Sequence, residues 1–277
     1  NLLSFQSERD DDNPFFQIYL LNFKNGDITK ISPGIGKSTC SWIHPNKNKV
    51  LFASTHLDSN ALLKQNQELE FRKSGKSRRY SWDYDEHYEL FLYDLNTKKY
   101  EQITNSVGYD AEGAVSPDGD WVVFSSNRSG YNEEMSDFDR KLFEKDKSFK
   151  MDIYKKNINN GEIIRLTDVD GYDGGPFFSS DGKKITWRRF SKDGTTAEIY
   201  VMDSDGKNTK KITNLNAMSW APFYHPSGEY IIFSTNIHGF DNFELYISST
   251  SNSNTLRITD TKGFDSLTTF SPDGKKI

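Results

Sequence analysis

One turn recurs along this 277-residue chain at a spacing that few folds accommodate. It reads His44-Pro45-Asn46, Ser116-Pro117-Asp118-Gly119, Ser179-Ser180-Asp181-Gly182, His225-Pro226-Ser227-Gly228 and Ser271-Pro272-Asp273-Gly274. The second residues fall at 45, 117, 180, 226 and 272, so the intervals are 72, 63, 46 and 46. A strand tyrosine at Tyr19, Tyr93, Tyr154, Tyr200 and Tyr246 repeats at 74, 61, 46 and 46. An apolar residue followed by Ser or Thr, at Ile31-Ser32, Ile103-Thr104, Leu166-Thr167, Ile212-Thr213 and Ile258-Thr259, repeats at 72, 63, 46 and 46. Three independent markers keep one spacing, which makes the chain five copies of a 46-residue unit, two of them expanded.

Each copy reads as four short strands. Ser-Pro-Asp-Gly suits a type I turn, with Pro presetting φ and Gly accepting the exit geometry. It joins an aromatic-bearing strand (Phe177-Phe178, Phe223-Tyr224) to an apolar one (Trp121 to Phe124, Tyr230 to Phe233). A third strand follows (Glu198 to Met202, Phe243 to Ile247), then a turn and a fourth strand ending in Ile-Thr. Four strands at a period in the mid-forties make a β-propeller blade. The 46-residue copies hold no helical pattern of the 10–15 residues that an α/β fold would need. The fold class is therefore all-β, and residues 1–277 read as a single propeller domain.

Two insertions interrupt the repeats, at about 57–86 and 131–150. The first carries a short helix at Asn60 to Phe71, with Leu62, Leu63 and Leu69 among Glu, Gln and Lys. The second places Met135, Phe138, Leu142 and Phe143 at helical spacing. Both follow the second strand of a blade, so both are expected on one rim, and insertions gathered on one face often mark a binding face.

Composition removes several classes. A net charge of -5 excludes a nucleic-acid partner held by a basic face. No run of about 18 apolar residues is present to span a membrane. The single Cys40 supports neither a disulfide framework nor a cysteine zinc cluster. The chain opens at Asn1 rather than Met, and reads as a processed or partial chain.

At these residues the chain resembles the TolB-like propellers built from WD-like Pro-Asp repeats. The resemblance rests on Ser-Pro-Asp-Gly, the apolar strand, Ser126-Asn127-Arg128 or Ser7-Glu8-Arg9, Ile199 to Asp203, and Ile-Thr. Gly171 to Phe178, Trp187 to Ser191, Met218 to Pro222 and Asn242 to Tyr246 resemble a narrower group, the propellers found upstream of Zn-dependent exopeptidase domains in exported bacterial proteins. The family is six-bladed. The favoured architecture is thus a six-bladed parent with one blade's worth of sequence outside the chain; the alternative is a five-bladed ring closed by the C-terminal strand. The resemblance implies a periplasmic or secreted protein- or peptide-binding module without catalysis in this chain. Two alternatives stand beside it: a substrate-gating propeller of a larger Zn-dependent peptidase, with the fused domain outside this chain, and a propeller enzyme with a metal or small-ligand site in its channel mouth.

The first strand of a blade lines a propeller's channel, and an aromatic–acid pair precedes it in successive copies: Tyr109-Asp110, Tyr172-Asp173 and Phe264-Asp265, with Trp220 in the fourth copy and Glu112 adding a carboxylate. These residues form a candidate acidic, aromatic-rimmed mouth for a cationic group; the competing reading has Asp capping turns and the aromatic packing between blades. His56, Arg128, Arg188 and His238 are candidate rim residues. His56 with Asp58, or Asp83, Asp85, Glu86 and His87, could ligate a divalent cation, but solvated surface is favoured, and neither a metal nor another cofactor is assigned. His44 and His225 read as turn residues. Gly34-Ile35-Gly36-Lys37-Ser38-Thr39 lacks the spacing and following helix of a phosphate loop. Neither a nucleophile elbow nor a zincin helix is present. The basic run Arg72 to Arg79, followed by Tyr80-Ser81-Trp82, is a further candidate docking segment.

Overall fold

The computed structural model describes residues 2–78, 83–252 and 254–277; Arg79 and Tyr80-Ser81-Trp82 of the basic run lie outside them. The chain divides into two compact units, residues 1–113 with 126–136 and residues 114–125 with 137–277.

The first unit opens with an antiparallel three-stranded sheet, β1 (Leu2–Ser7), β2 (Gln17–Asn22) and β3 (Ile28–Lys30). A four-stranded sheet follows, β4 (Ser38–Ile43), β5 (Lys49–Ser54), β6 (Glu89–Asp94) and β7 (Tyr100–Gln102), paired in that order. Ile18, Leu20 and Ile31 of the former pack with Val50, Phe52, Phe91 and Tyr93 of the latter. The third set is β8 (Asp110–Val115), β9 (Trp121–Ser126), β10 (Lys150–Asn157) and β11 (Ile163–Arg165). In the second unit, β12 (Gly171–Phe178), β13 (Lys184–Phe190), β14 (Ala197–Asp203) and β15 (Lys210–Lys211) pair in order. So do β16 (Ser219–Tyr224), β17 (Tyr230–Thr235), β18 (Glu244–Ser249) and β19 (Thr255–Arg257). Ile199 and Ile212 of one sheet pack on Tyr224, Ile231, Phe233 and Tyr246 of the next. Four strands per copy, as the repeats require, are therefore present in four successive copies.

Each marker has a physical cause. In every turn the first residue's N–H bonds the carbonyl that opens the next strand: His44 to Lys49, Ser116 to Trp121, Ser179 to Lys184, His225 to Tyr230 and Ser271 to Lys276, at 2.8–2.9 Å. Gly119, Gly182, Gly228 and Gly274 take the left-handed exit, and Lys47 takes it in the first turn. His225 does the work of the turn serine, its Nδ1 lying 2.9 Å from Ser227 Oγ. The first strands carry a second regularity. Cys40, Glu112, Gly175, Ala221 and Leu267, each five residues before the turn's second position, all have φ between 48° and 62°. Register shifts accompany them at Thr39/Trp42, Gly174/Phe177 and Trp220/Phe223, so this strand is bulged.

The expected fifth first strand is not formed. Residues 266–270 join no ladder, although the Ser271 turn behind them closes normally. A first strand pairs with the strand after its turn, and only three residues follow Gly274 in this sequence. Among the described residues the N-terminal sheet has three strands.

Both insertions are helical. α1 (Ala61–Lys73) lies between β5 and β6; α2 (Ser129–Asn132), α3 (Asp137–Lys145) and a 3-10 turn (Lys147–Phe149) lie between β9 and β10. α1 forms where the sequence predicts a helix. It buries Ala61, Gln65 and Glu68 and leaves Leu62 and Leu63 outside. Gln65 explains the orientation: its Oε1 accepts the Gly36 amide at 3.2 Å and its Nε2 donates to the Asp12 carbonyl at 2.7 Å. In α3, Phe143 is buried and Phe138 is exposed.

Candidate functional site

The Ile-Thr marker sits opposite the third strand of its own copy. Its hydroxyl accepts the third-strand amide: Ile18 to Ser32, Leu90 to Thr104, Ile153 to Thr167, Ile199 to Thr213 and Leu245 to Thr259, all at 2.8–2.9 Å. The residue before each amide is Gln17, Glu89, Asp152, Glu198 or Glu244, and all five are buried. In four copies the hydroxyl donates back to it, at 2.7 Å for Ser32 on Gln17 and 2.5 Å for Thr213 on Glu198. Sequence reading missed this row of acids. The signal was an acid or amide 15 residues before each Ser/Thr, in all five copies.

These acids lie where one copy meets the next. The start of each third strand bridges in parallel to the lead-in of the following first strand: Met151 with Tyr172, Ala197 with Met218, Phe243 with Phe264. In the first unit the Asp110 amide donates to the Tyr88 carbonyl at 3.0 Å in the same way. The predicted aromatic–acid pairs therefore occupy copy-to-copy junctions.

In the first unit Asp110 is fully buried. Its carboxylate accepts from Ser126 Oγ at 2.5 Å and is ion-paired with Arg128. The Tyr109 amide donates to Asn127 Oδ1 at 2.7 Å, and its ring packs on Tyr84 and Tyr88. Tyr84 and Tyr131 share a 2.5 Å hydroxyl contact, and Tyr131 donates to Glu86 at 3.0 Å, so residues of both insertions meet there. Glu112 is the left-handed residue of the β8 bulge.

In the second unit Asp173 is also fully buried and takes two parallel bonds from Arg189. Tyr172 accepts from Arg188 at 2.8 Å, and that guanidinium lies over its ring. Burial pushes Asp152 up to about 7, against the pull of Arg165, whose Nη2 lies 2.6 Å from its carboxylate. Trp220 and Phe264 come together around Phe243, with Trp220 stacked on it at 4.7 Å. Asp265, half-buried, accepts from Thr261 at 2.8 Å. Asp110 and Asp173 are thus matched by arginines, and the aromatics pack at the junctions.

The rim histidines stay within their own copies. The His56 ring packs tilted against Phe91 at 4.3 Å, with Nδ1 3.0 Å from Ser54 Oγ; burial holds its pKa below the ordinary value. His238 Nε2 lies 2.6 Å from the Tyr246 hydroxyl. Asp58, Asp85 and His87 do gather closely enough to share an ion. The Lys64 ammonium already lies 2.8 Å from Asp58 and 2.9 Å from Asp85, so a lysine fills the place a cation would take and pins α1 to both carboxylates. The glycine loop is followed by strand β4, and its Gly34 and Gly36 carbonyls accept from Asn13 and Gln17. An open groove of about 850 Å³ lies elsewhere, between the turns at Ser179 and His225 and the hairpin from Ser249 to Leu256, and none of the predicted site residues lines it.

Residues 174–277 match the PD40 family model, described as a TolB beta propeller domain. TolB from Acinetobacter baumannii superposes on 95% of this chain and 52% of its own, with a TM-score of 0.63 at 20% identity. A putative TolB from Agrobacterium tumefaciens superposes on 93% of this chain and 80% of its own, with a TM-score of 0.64 at 20% identity. The chain has the fold of a TolB-like β-propeller. A curated relative, an uncharacterized protein of Agrobacterium fabrum, is 23% identical over 142 residues, 49% of this propeller and 42% of the relative. The propeller therefore spans about half the length, or less, of that relative and of the Acinetobacter protein. Likeness at these identities is a likeness of fold, and fold alone does not fix function.

Proposed function

We propose that this propeller is an exported bacterial scaffold that binds a peptide or protein through the face carrying α1, with no catalysis in this chain. One observation carries the reading: the inverted polarity of α1. Its inward side is tied down by Gln65 and Lys64, while Leu62 and Leu63 face solvent at 55% and 56% exposure, with Leu57 nearby in sequence at 61%. A helix held by polar groups gains nothing from outward leucines in isolation, and a cluster of exposed apolar side chains on a rigid support suits a protein partner. The arginine-matched Asp110 and Asp173 favour a structural role over an open acidic mouth. Export is part of the proposal, carried over from the resemblance to exported TolB-like propellers.

The test is a peptide library displayed on phage and selected against the immobilised propeller. Selected peptides are expected to lose at least ten-fold in affinity for the Leu62→Ser/Leu63→Ser double variant. Peptides that bind both proteins equally would place binding elsewhere and overturn the reading.

A further inference from the structure

The copy-to-copy junctions are not equivalent in charge. The acid at the head of each third strand has a counterpart 21 residues on, at the start of the next first strand: Glu89 with Asp110, Asp152 with Asp173, Glu198 with Ser219, Glu244 with Asp265. Asp152 and Asp173 are matched by two arginines, Arg165 and Arg189. Glu198 stands alone, since its counterpart is Ser219, and has Lys211 at 3.6 Å. Glu244 has Arg257 at 2.8 Å, and its counterpart Asp265 is only half-buried. Glu89 and Asp110 are both buried, and the cation between them, Arg128, is committed to Asp110.

The hydrogen bonds repeat the deficit. Glu89 Oε1 accepts the Ser106 amide at 2.7 Å, but Oε2 is fully buried and has no hydrogen-bond partner. The Thr104 hydroxyl faces both carboxyls, and its one proton can serve only one of them. A buried carboxylate oxygen without a donor is costly, whereas a carboxylic acid there supplies its own donor.

We propose that Glu89 and Asp110 share one proton in mildly acid solution and that losing it as pH rises loosens the start of the second insertion, so that the junction is a pH-sensitive latch. Burial, and then the charge of Asp110, push Glu89 up to about 7, and burial also raises Asp110. The groups facing Glu89 are Asp110 from β8, Arg128 from the head of α2, and Thr104 and Ser106 from the segment after β7. Two of these reach the insertion directly. Arg128 opens α2, and Ser106 Oγ accepts from Asn132 Nδ2 at 3.1 Å. A second buried negative charge would draw Arg128 away from Asp110 and disturb the segment that holds Asn132.

The experiment is a carboxyl ¹³C titration of the glutamate-labelled propeller, with Glu89→Gln to assign the signal. One glutamate is expected to titrate near 7 and to vanish in the variant. The Ser106 amide and the Asn132 side-chain amide should move with the same midpoint. Titration of Glu89 in the ordinary glutamate range would overturn the proposal, as would a midpoint near 7 with an unresponsive Asn132. Asp110→Asn is the second arm. It removes the like charge and frees Arg128, so the Glu89 midpoint should fall; an unchanged midpoint contradicts a shared proton.

Discussion

Arg189 clasps Asp173 through two parallel hydrogen bonds, Nε to Oδ1 and Nη2 to Oδ2, each 2.7 Å. The carboxylate is fully buried, so its charge depends on that fork. Arg189→Ala leaves an uncompensated buried charge and is expected to cost about 3–5 kcal/mol. Urea unfolding checks it: the transition midpoint should fall sharply, and Arg189→Ala combined with Asp173→Asn should recover part of the loss.

The hydroxyl between third strand and acid gives a second expectation. Thr213 Oγ1 accepts the Ile199 amide at 2.9 Å and donates to Glu198 at 2.5 Å. Thr213→Val keeps the shape but leaves the Ile199 amide without its acceptor and takes one donor from Glu198, at a cost of about 1–3 kcal/mol. Thr213→Ser keeps the hydroxyl and should lose much less in the same unfolding assay.

How much of this was legible in the sequence varies with the physics involved. The repeat, the strands and the turns were legible because turn chemistry is local: Ser-Pro-Asp-Gly specifies its own hydrogen bonds, and His225 could stand in for Ser because its Nδ1 reaches the same place. The aromatic–acid pairs were located, but their matching by Arg128 and Arg189 was not, because the partner sits 16 or 18 residues away, on or just past the following strand. The Thr–acid pairs were visible only as a spacing of 15 that no local rule predicts. The helix of α1 was legible, but its buried side was not, because its floor is the backbone of Gly36 and Asp12.

Gly175 occupies the bulge position that Ala221 occupies one copy later, both with left-handed φ. A Cβ on Gly175 would lie 2.3 Å from Arg188 Nη1, in the path of the guanidinium that rests on Tyr172. Gly175→Ala is therefore expected to lower the melting temperature by several degrees. Ala221→Gly relieves strain but frees the unfolded chain, and should change it little. Thermal unfolding of the two variants side by side separates the effects.

His56 gives a pH dependence with a definite sign. Burial lowers its pKa in the folded state below the ordinary value of 6.5, so the unfolded chain binds that proton more readily. Stability from this residue is complete above 6.5 and declines as pH falls through the lowered folded value. His56→Phe keeps the ring against Phe91 and should flatten the acid limb of a stability–pH curve; an unchanged limb would assign the loss to other groups.

The most direct measurement of the proposed binding face is a methyl NMR titration of the leucine-labelled propeller with a peptide selected against it. The proposed face predicts that Leu62 and Leu63 of α1 and Leu57 before it shift together and saturate at one affinity. Shifts confined to leucines elsewhere, such as Leu256 beside the 850 Å³ groove, would contradict it.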